Sequence, residues 1–291
     1  MCTGYKNIDV DIISYPKNPG KIVWDLLKTT WIEYDKVEYD PNDERVKDMI
    51  FKALHKQANP TVFEAVNIQV RFKEISRVNL AQLTRHRGWL FSAQSQMPQH
   101  VKHNVMIPYN LFDSKYIDEV NKLVKDSQDL YDKLLEEGYP PQDVRYILLH
   151  GQTCDCSASF NLNQMTNVSG QRLENNTADE INYAFRKLIF RFKQAIENDK
   201  DLDNIGHEIY TFFINNCDAF GAKQKLCFCC DEVFGNSFNR FPDANNAVSA
   251  ATINCKYDFR KSAWYKELKR IKEEEPWLLL KGEKEMIDNW G

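Results

Sequence analysis

The spacing of apolar residues divides the chain into strands and helices before any residue's chemistry is considered. Asp9-Val10-Asp11-Ile12-Ile13-Ser14 reads as a first strand, and residues 21–30 as a helix after it. Asp43 and Glu44 open a second helix, because Val46, Met49, Ile50 and Leu54 recur at helical spacing. From Glu64 the period changes to two. Val66, Ile68, Val70 and Phe72 take one face and Asn67, Gln69, Arg71 and Lys73 the other, the pattern of a half-buried strand. Ser76 is placed to cap a helix running to about Arg87. A long amphipathic helix fits residues 115–137 and is closed by Gly138-Tyr139-Pro140-Pro141. Pro141 can start the next helix, which turns Val144, Ile147 and Leu148 inward. Residues 178–198 carry the stripe Ile181, Phe185, Leu188, Ile189, Phe192. Further helices are expected near 203–217 and at 262–274, with a Cys-, Asn- and Phe-rich stretch between them. No internal repeat interrupts this order. The elements predict an α+β fold, a modest central sheet packed by long helices, over residues 1–205. Residues 206–291 read as a mostly helical, Cys/Phe-rich extension.

Charge narrows the partners. The chain has 38 basic and 42 acidic residues, well mixed, for a net charge of −4. A protein that grips many nucleic-acid phosphates needs a basic excess or stripe, so no nucleic-acid partner is expected. No run of 18 apolar residues is present, so no membrane span is expected. Met1-Cys2-Thr3-Gly4-Tyr5-Lys6 lacks the basic start and apolar stretch of a secretory signal, which predicts a cytoplasmic protein. The eight cysteines then read as reduced thiols. Cys227-Phe228-Cys229-Cys230 and Cys154-Asp155-Cys156 hold potential thiolate donors, but only Cys227 and Cys230 have zinc-type spacing, with no second pair at finger distance. Buried free thiols, and no metal, are the expectation; His150 and His207 are likewise read as structural.

The densest chemistry lies at Arg85-His86-Arg87. Three cationic or titratable residues in a row cannot all face a core, because unpaired buried charge is costly. Taken alone, the triplet also suits an exposed basic helix end. Its surroundings say more. Seven residues separate it from Ser95; Gln82 precedes it by three, and Thr61, Phe63 and Glu64 lie before the strand. Ile107-Pro108 follows, then the passage Tyr131 through Arg145, and then Asn161, Asn167, Arg172 and Glu180-Ile181. In order and spacing these blocks resemble the flavin-dependent thymidylate synthases.

That resemblance implies a homotetramer that binds FAD at subunit interfaces. It implies a one-carbon unit taken from methylenetetrahydrofolate, NADPH as the reductant of the flavin, and dUMP converted to dTMP. By position, Thr61, Glu64, Arg85, His86, Arg87, Asn161 and Asn167 would hold flavin. Gln82, Gln94, Ser95, Arg145 and Arg172 would hold a pyrimidine deoxynucleotide monophosphate, with Arg172 and Ser95 in the catalytic role. The physics is compatible: a guanidinium facing the pyrimidine O2/O4 edge favours an electron-rich ring and activates C5 without a protein nucleophile.

Departures cluster at the same place. Where the family has Gly-Arg-Tyr after the serine, this chain has Gln96-Met97-Pro98, so the cation that clamps the nucleotide phosphate is missing at Met97. Arg145 remains, and His100, Lys102 or His103 are candidate substitutes. Asn59 and Ala65 stand where the family often has His, Asn163 replaces an Arg, Asn176 a His and Ala93 an acid. Three readings follow: a divergent dUMP methylase, a 5-hydroxymethylase of dUMP or dCMP in which water captures the C5 methylene, and a non-catalytic flavin- or nucleotide-binding relative. Retention of Arg85, Arg87, Ser95, Arg145 and Arg172 favours an enzyme.

Overall fold

The computed structural model describes residues 2–96, 104–173, 179–223 and 263–290. The expectations attached to Met97, Pro98, His100, Lys102, His103, Asn176, Cys227, Cys229 and Cys230 fall outside these residues. The chain forms two compact units, the first made of Met1–Leu173 and Thr177–Asp218 and the second of Glu174–Asn176 and Ala219–Gly291.

The first unit is α+β, as the pattern predicts. Its short strand β1 (Cys2–Thr3) leads into β2 (Asp9–Ser14), α1 (Pro19–Thr30) and α2 (Glu44–Leu54). Asp43 caps α2 by accepting the Arg45 amide. A 3-10 turn at Pro60–Ala65 then replaces the start of the expected strand, so β3 covers Asn67–Ser76. Its even-numbered residues Ile68, Val70 and Phe72 are fully buried, while Asn67, Gln69 and Arg71 are exposed. β3 is followed by α3 (Arg77–Leu83), β4 (Leu90–Ala93), β5 (Val105–Met106), α4 (Tyr109–Phe112), α5 (Ile117–Glu136) and α6 (Pro141–Val144). Then come β6 (Thr153–Asn161), α7 (Leu162–Arg172), α8 (Asp179–Glu197) and α9 (Asn204–Lys223).

The main sheet is antiparallel in the order β2-β3-β6-β4, and β1 pairs with β5 separately. α8 covers the buried face: Ile181, Phe185, Leu188 and Phe192 are fully buried, and the Phe185 and Phe72 ring centroids lie 6.2 Å apart. α9 adds Ile209, Tyr210 and Phe213 to this core, and the Tyr210 hydroxyl donates to the Pro16 carbonyl at 2.8 Å. α5 buries only Val124 and Tyr131 along its length, and Gly138, at φ +89°, ends it in a conformation that glycine adopts freely. In the second unit, α10 (Ala263–Glu274) and α11 (Glu283–Trp290) flank a 3-10 turn at Pro276–Leu278. Leu268, Ile271, Leu278, Leu280 and Ile287 are buried there, and Arg270 pairs with Glu267 at 2.6 Å.

The expected end of α3 is also displaced. Ser76 does cap α3, accepting the Asn79 amide at 3.0 Å, but the helix stops at Leu83 rather than Arg87. The Arg85-His86-Arg87 triplet therefore lies in a turn. Gly88, at φ +83°, completes that turn in a backbone region where side chains are strained.

Candidate active site

The sequence of α3 sets the geometry. Ser76 starts it, and the Ser76 amide and hydroxyl both donate to the half-buried Glu180 carboxylate at 2.6 Å. Burial raises the pKa of Glu180, and the Ser76 hydrogen bonds oppose that shift. With this end anchored on α8, the other end of α3 delivers the triplet turn. Arg85 and Arg87 are exposed there, and His86 is half-buried.

His86 meets Arg172, the last residue of α7. Arg172 Nε donates to His86 Nε2 at 2.9 Å, and Arg172 Nη2 donates to the Gln82 carbonyl at 3.3 Å. An imidazole nitrogen that accepts must be unprotonated. Burial, and then the Arg172 charge, push the His86 pKa down to about 4, so the ring is neutral near pH 7. The Arg172 pKa is lowered in turn by burial and by the neighbouring Arg85 charge. Among the described residues no carboxylate pairs with Arg85, Arg87 or Arg172. The turn thus concentrates positive charge suited to an anionic ligand.

Trp89 backs this turn, with its ring stacked on Phe160 at 4.0 Å and 5.6 Å from the His86 ring. Sequence reasoning missed Trp89, although an aromatic next to a Gly that turns the chain is a packing signal. Gln164 lies behind Gly88. Its side chain accepts the Asn161 amide at 3.0 Å while Asn161 Oδ1 accepts the Gln164 amide at 2.8 Å, a reciprocal cap that starts α7. The Asn161 side-chain oxygen is therefore occupied by its own helix.

The other flavin-assigned residues lie near that helix start. Thr61 and Glu64 are exposed on the 3-10 turn, and Asn167 is exposed on α7. Asn163 Nδ2 donates to the Pro60 carbonyl at 3.4 Å, tying α7 to the turn. Thr61 donates to Asn59 Oδ1 at 2.9 Å.

A separate group forms on the other side of α3. A cavity of about 390 Å³ is lined by Arg77, Leu80, Ala81, Thr84, Gln96, Arg145, Leu148, Leu149 and His150. Residues 77, 80, 81 and 84 share one face of a helix, whereas Gln82 points away from it. Arg145 Nε donates to the Gln142 carbonyl at 3.2 Å. Gln94 is bound to β6: its amide donates to the Asp155 carbonyl at 2.9 Å and its Oε1 accepts the Asp155 amide at 3.3 Å. Ser95, between Gln94 and Gln96, is exposed. Within one chain, then, Arg172 meets His86 and the Gln82 carbonyl; Arg145 lines a different cavity, with Gln94, just before Ser95, accepting from Arg77 of its wall; and Thr61 and Glu64 lie on the 3-10 turn that Asn163 ties to α7, the helix that Asn161 caps and that carries Asn167. Arg77 was not foreseen, although a cation in the first turn of a helix, where the dipole disfavours it, is a signal that something else holds it there.

Cys154 and Cys156 are buried on β6, and burial raises the Cys156 thiol to about 11. Cys156 is thus a packed, neutral thiol.

Known proteins share this fold. Residues 11–196 match the family Thy1, thymidylate synthase complementing protein. The flavin-dependent thymidylate synthase of Thermococcus kodakarensis is 24% identical over 202 residues, 67% of this chain and 81% of its own. That of Saccharolobus solfataricus is 27% identical over 193 residues, 65% of this chain and 74% of its own. Among solved structures, the UMP/dUMP methylase PolB from Streptomyces cacaoi bound with 5-Br dUMP superposes with a TM-score of 0.55 at 15% identity, covering 72% of this chain and 96% of its own. Thymidylate Synthase X (ThyX) from Helicobacter pylori with FAD and dUMP gives a TM-score of 0.51 at 16% identity, covering 71% and 99%. The sheet, the triplet turn closed on α7 and the family match over most of the first unit lead to one assignment: the chain belongs to the Thy1 family of flavin-dependent thymidylate synthases, and it is an enzyme of that type.

Proposed function

We propose that this protein transfers a one-carbon unit from methylenetetrahydrofolate to C5 of a pyrimidine deoxynucleotide, with dUMP as substrate and dTMP as product. The observation that carries the reading is the Arg172–His86 hydrogen bond beside a turn whose arginines have no carboxylate partner among the described residues. FAD fits the donor set. Arg85 and Arg87 suit its diphosphate through charge-assisted hydrogen bonds, while the Thr61 hydroxyl, Glu64 and Asn167 are exposed polar groups suited to its hydroxyls and ring edges. When bound, the flavin supplies the hydride chemistry, with NADPH as the source of reducing equivalents.

The chain's own residues position and polarise. Neutral His86 holds the Arg172 guanidinium by a direct hydrogen bond, so Arg172 presents fixed donors toward a pyrimidine edge without having to reorganise. Gln82 and Ser95 would read the base, and Arg145 would take the phosphate end. Gln82 and Arg145 lie on opposite sides of α3, which supports a site completed by a neighbouring subunit. Tyr116, which caps α5, and Leu123 and Leu130 within it recur every seven residues, and all three are exposed. That stripe supports the homotetramer. A cytoplasmic location accords with a reaction on nucleotide precursors.

Two measurements test this. The purified protein should bind FAD with a spectral shift, and absence of binding at tens of micromolar would remove the reading. Incubation with FAD, NADPH, methylenetetrahydrofolate and either dUMP or dCMP, followed by mass analysis, identifies the reaction. A gain of one CH2 on dUMP is expected; a gain of CH2O would replace methylation with hydroxymethylation and leave the cofactor assignment intact.

A further inference from the structure

The departure at Gln96-Met97-Pro98 leaves the nucleotide phosphate short of one cation, and the cavity beside α3 contains another. Arg77 and Arg145 both line it, together with His150, and no aspartate or glutamate does. Neither arginine has a carboxylate partner among the described residues. Arg77 is also undersaturated. Of the five N–H donors of its guanidinium, Nη2 donates to the Gln94 carbonyl at 2.6 Å, while Nε is buried without a hydrogen-bond partner. A buried guanidinium donor left unpaired is costly, and no described residue supplies the missing partner.

Its orientation is built. The β3 bulge places Glu74 at φ +56°, and the Glu74 amide donates to Asp155 Oδ1 at 3.2 Å. Asp155 exchanges backbone and side-chain hydrogen bonds with Gln94, and the Gln94 carbonyl then receives Arg77. Gln96, where the family has Gly, donates to Gln152 Oε1 at 2.7 Å and so forms part of the wall of the same cavity. Two guanidiniums sharing one cavity without a counter-ion repel each other unless a multiply charged anion lies between them. The volume, about 390 Å³, falls in the range of small-ligand clefts.

We propose that Arg77, acting with Arg145, binds the 5′-phosphate of the pyrimidine nucleotide in place of the clamp lost at Met97. This rests on the reading that the protein takes such a nucleotide. Arg77 is a positioning residue: it holds the phosphate and does not touch the reacting carbon.

The test uses the full-length, FAD-loaded protein and compares dUMP with deoxyuridine, which lacks the phosphate. Arg77→Gln keeps a donor for the Gln94 carbonyl while removing the charge. It should weaken dUMP binding and raise KM roughly tenfold to a hundredfold, as loss of a charge-assisted hydrogen bond does. The kcat value and deoxyuridine binding should stay at wild-type levels. Arg77→Lys should recover part of the loss, and it serves alone if the glutamine variant does not retain flavin. Unchanged dUMP affinity in both variants, or equal weakening for dUMP and deoxyuridine, would overturn the assignment. If wild-type protein binds neither dUMP, UMP nor dCMP, the proposed function itself fails and takes this inference with it.

Discussion

Replacing Gly88 with alanine tests whether the triplet turn and α7 are locked together as the structure shows. Gly88 sits at φ +83°, and a Cβ built on it would lie 2.2 Å from Gln164 Nε2. Two costs follow. Holding a side chain in the left-handed region costs about 1–2 kcal/mol. Displacing Gln164 breaks its hydrogen bond to the Asn161 amide, half of the α7 cap, worth about 1 kcal/mol. The sum, about 2–3 kcal/mol, corresponds to a Tm decrease of roughly 4–12 °C for a domain of this size. Thermal unfolding of Gly88→Ala, Gln164→Ala and the double variant separates the two contributions. Once Gln164 is gone, alanine at 88 has nothing to strike, so the double variant should lose about 1 kcal/mol less than the sum of the singles. Additivity within about 0.5 kcal/mol, or an unshifted Tm in Gly88→Ala, would show that the turn does not rest on α7. Because α7 ends at Arg172, the same variant should also lose activity beyond its loss of stability.

Other expectations follow from the same contacts. Arg172→Ala should lower turnover by about two to three orders of magnitude, as removal of a preorganised electrostatic group does, while FAD remains bound; unchanged turnover with both dUMP and dCMP would refute the role. The His86 imidazole should titrate near pH 4 rather than 6.5 when followed by NMR. In Arg172→Ala the midpoint should rise yet stay below 6.5, because burial is the larger cause. The unfolded chain takes up this proton near pH 6.5 and the folded chain only near 4, so stability falls as pH drops through that window. The full shift is equivalent to about 3 kcal/mol; for a half-buried ring, solvent screening reduces it to about 1–2 kcal/mol. His86→Asn should therefore lose less stability than wild type between pH 6.5 and 4, as measured by denaturant unfolding.

Much of the architecture is written locally. The two-residue period of Val66 to Phe72 identifies β3, Asp43 and Ser76 mark their helix starts, and the stripe from Ile181 to Phe192 identifies α8 as the helix that covers the sheet. In each case the signal and its cause lie within a few residues. The ordered blocks around Arg85-His86-Arg87 likewise made the family legible. What escaped local reading was set by distant contacts. β6, Thr-Cys-Asp-Cys-Ser-Ala-Ser-Phe-Asn, has few strong strand formers, yet it is an inner strand because β3 and β4 pair with it on both sides. α7 carries Asn, Thr, Ser and Gly, poor helix residues, and it forms on the reciprocal cap between Asn161 and Gln164. α3 stops at Leu83, and the positively charged turn then closes onto Arg172, 86 residues beyond His86. Arg77 acquires its place only through a bulge in β3 and a strand partner at Asp155. Propensity and period act over one or two turns, whereas burial, strand pairing and the electrostatics of separated arginines depend on which segments meet, and only the folded chain decides that.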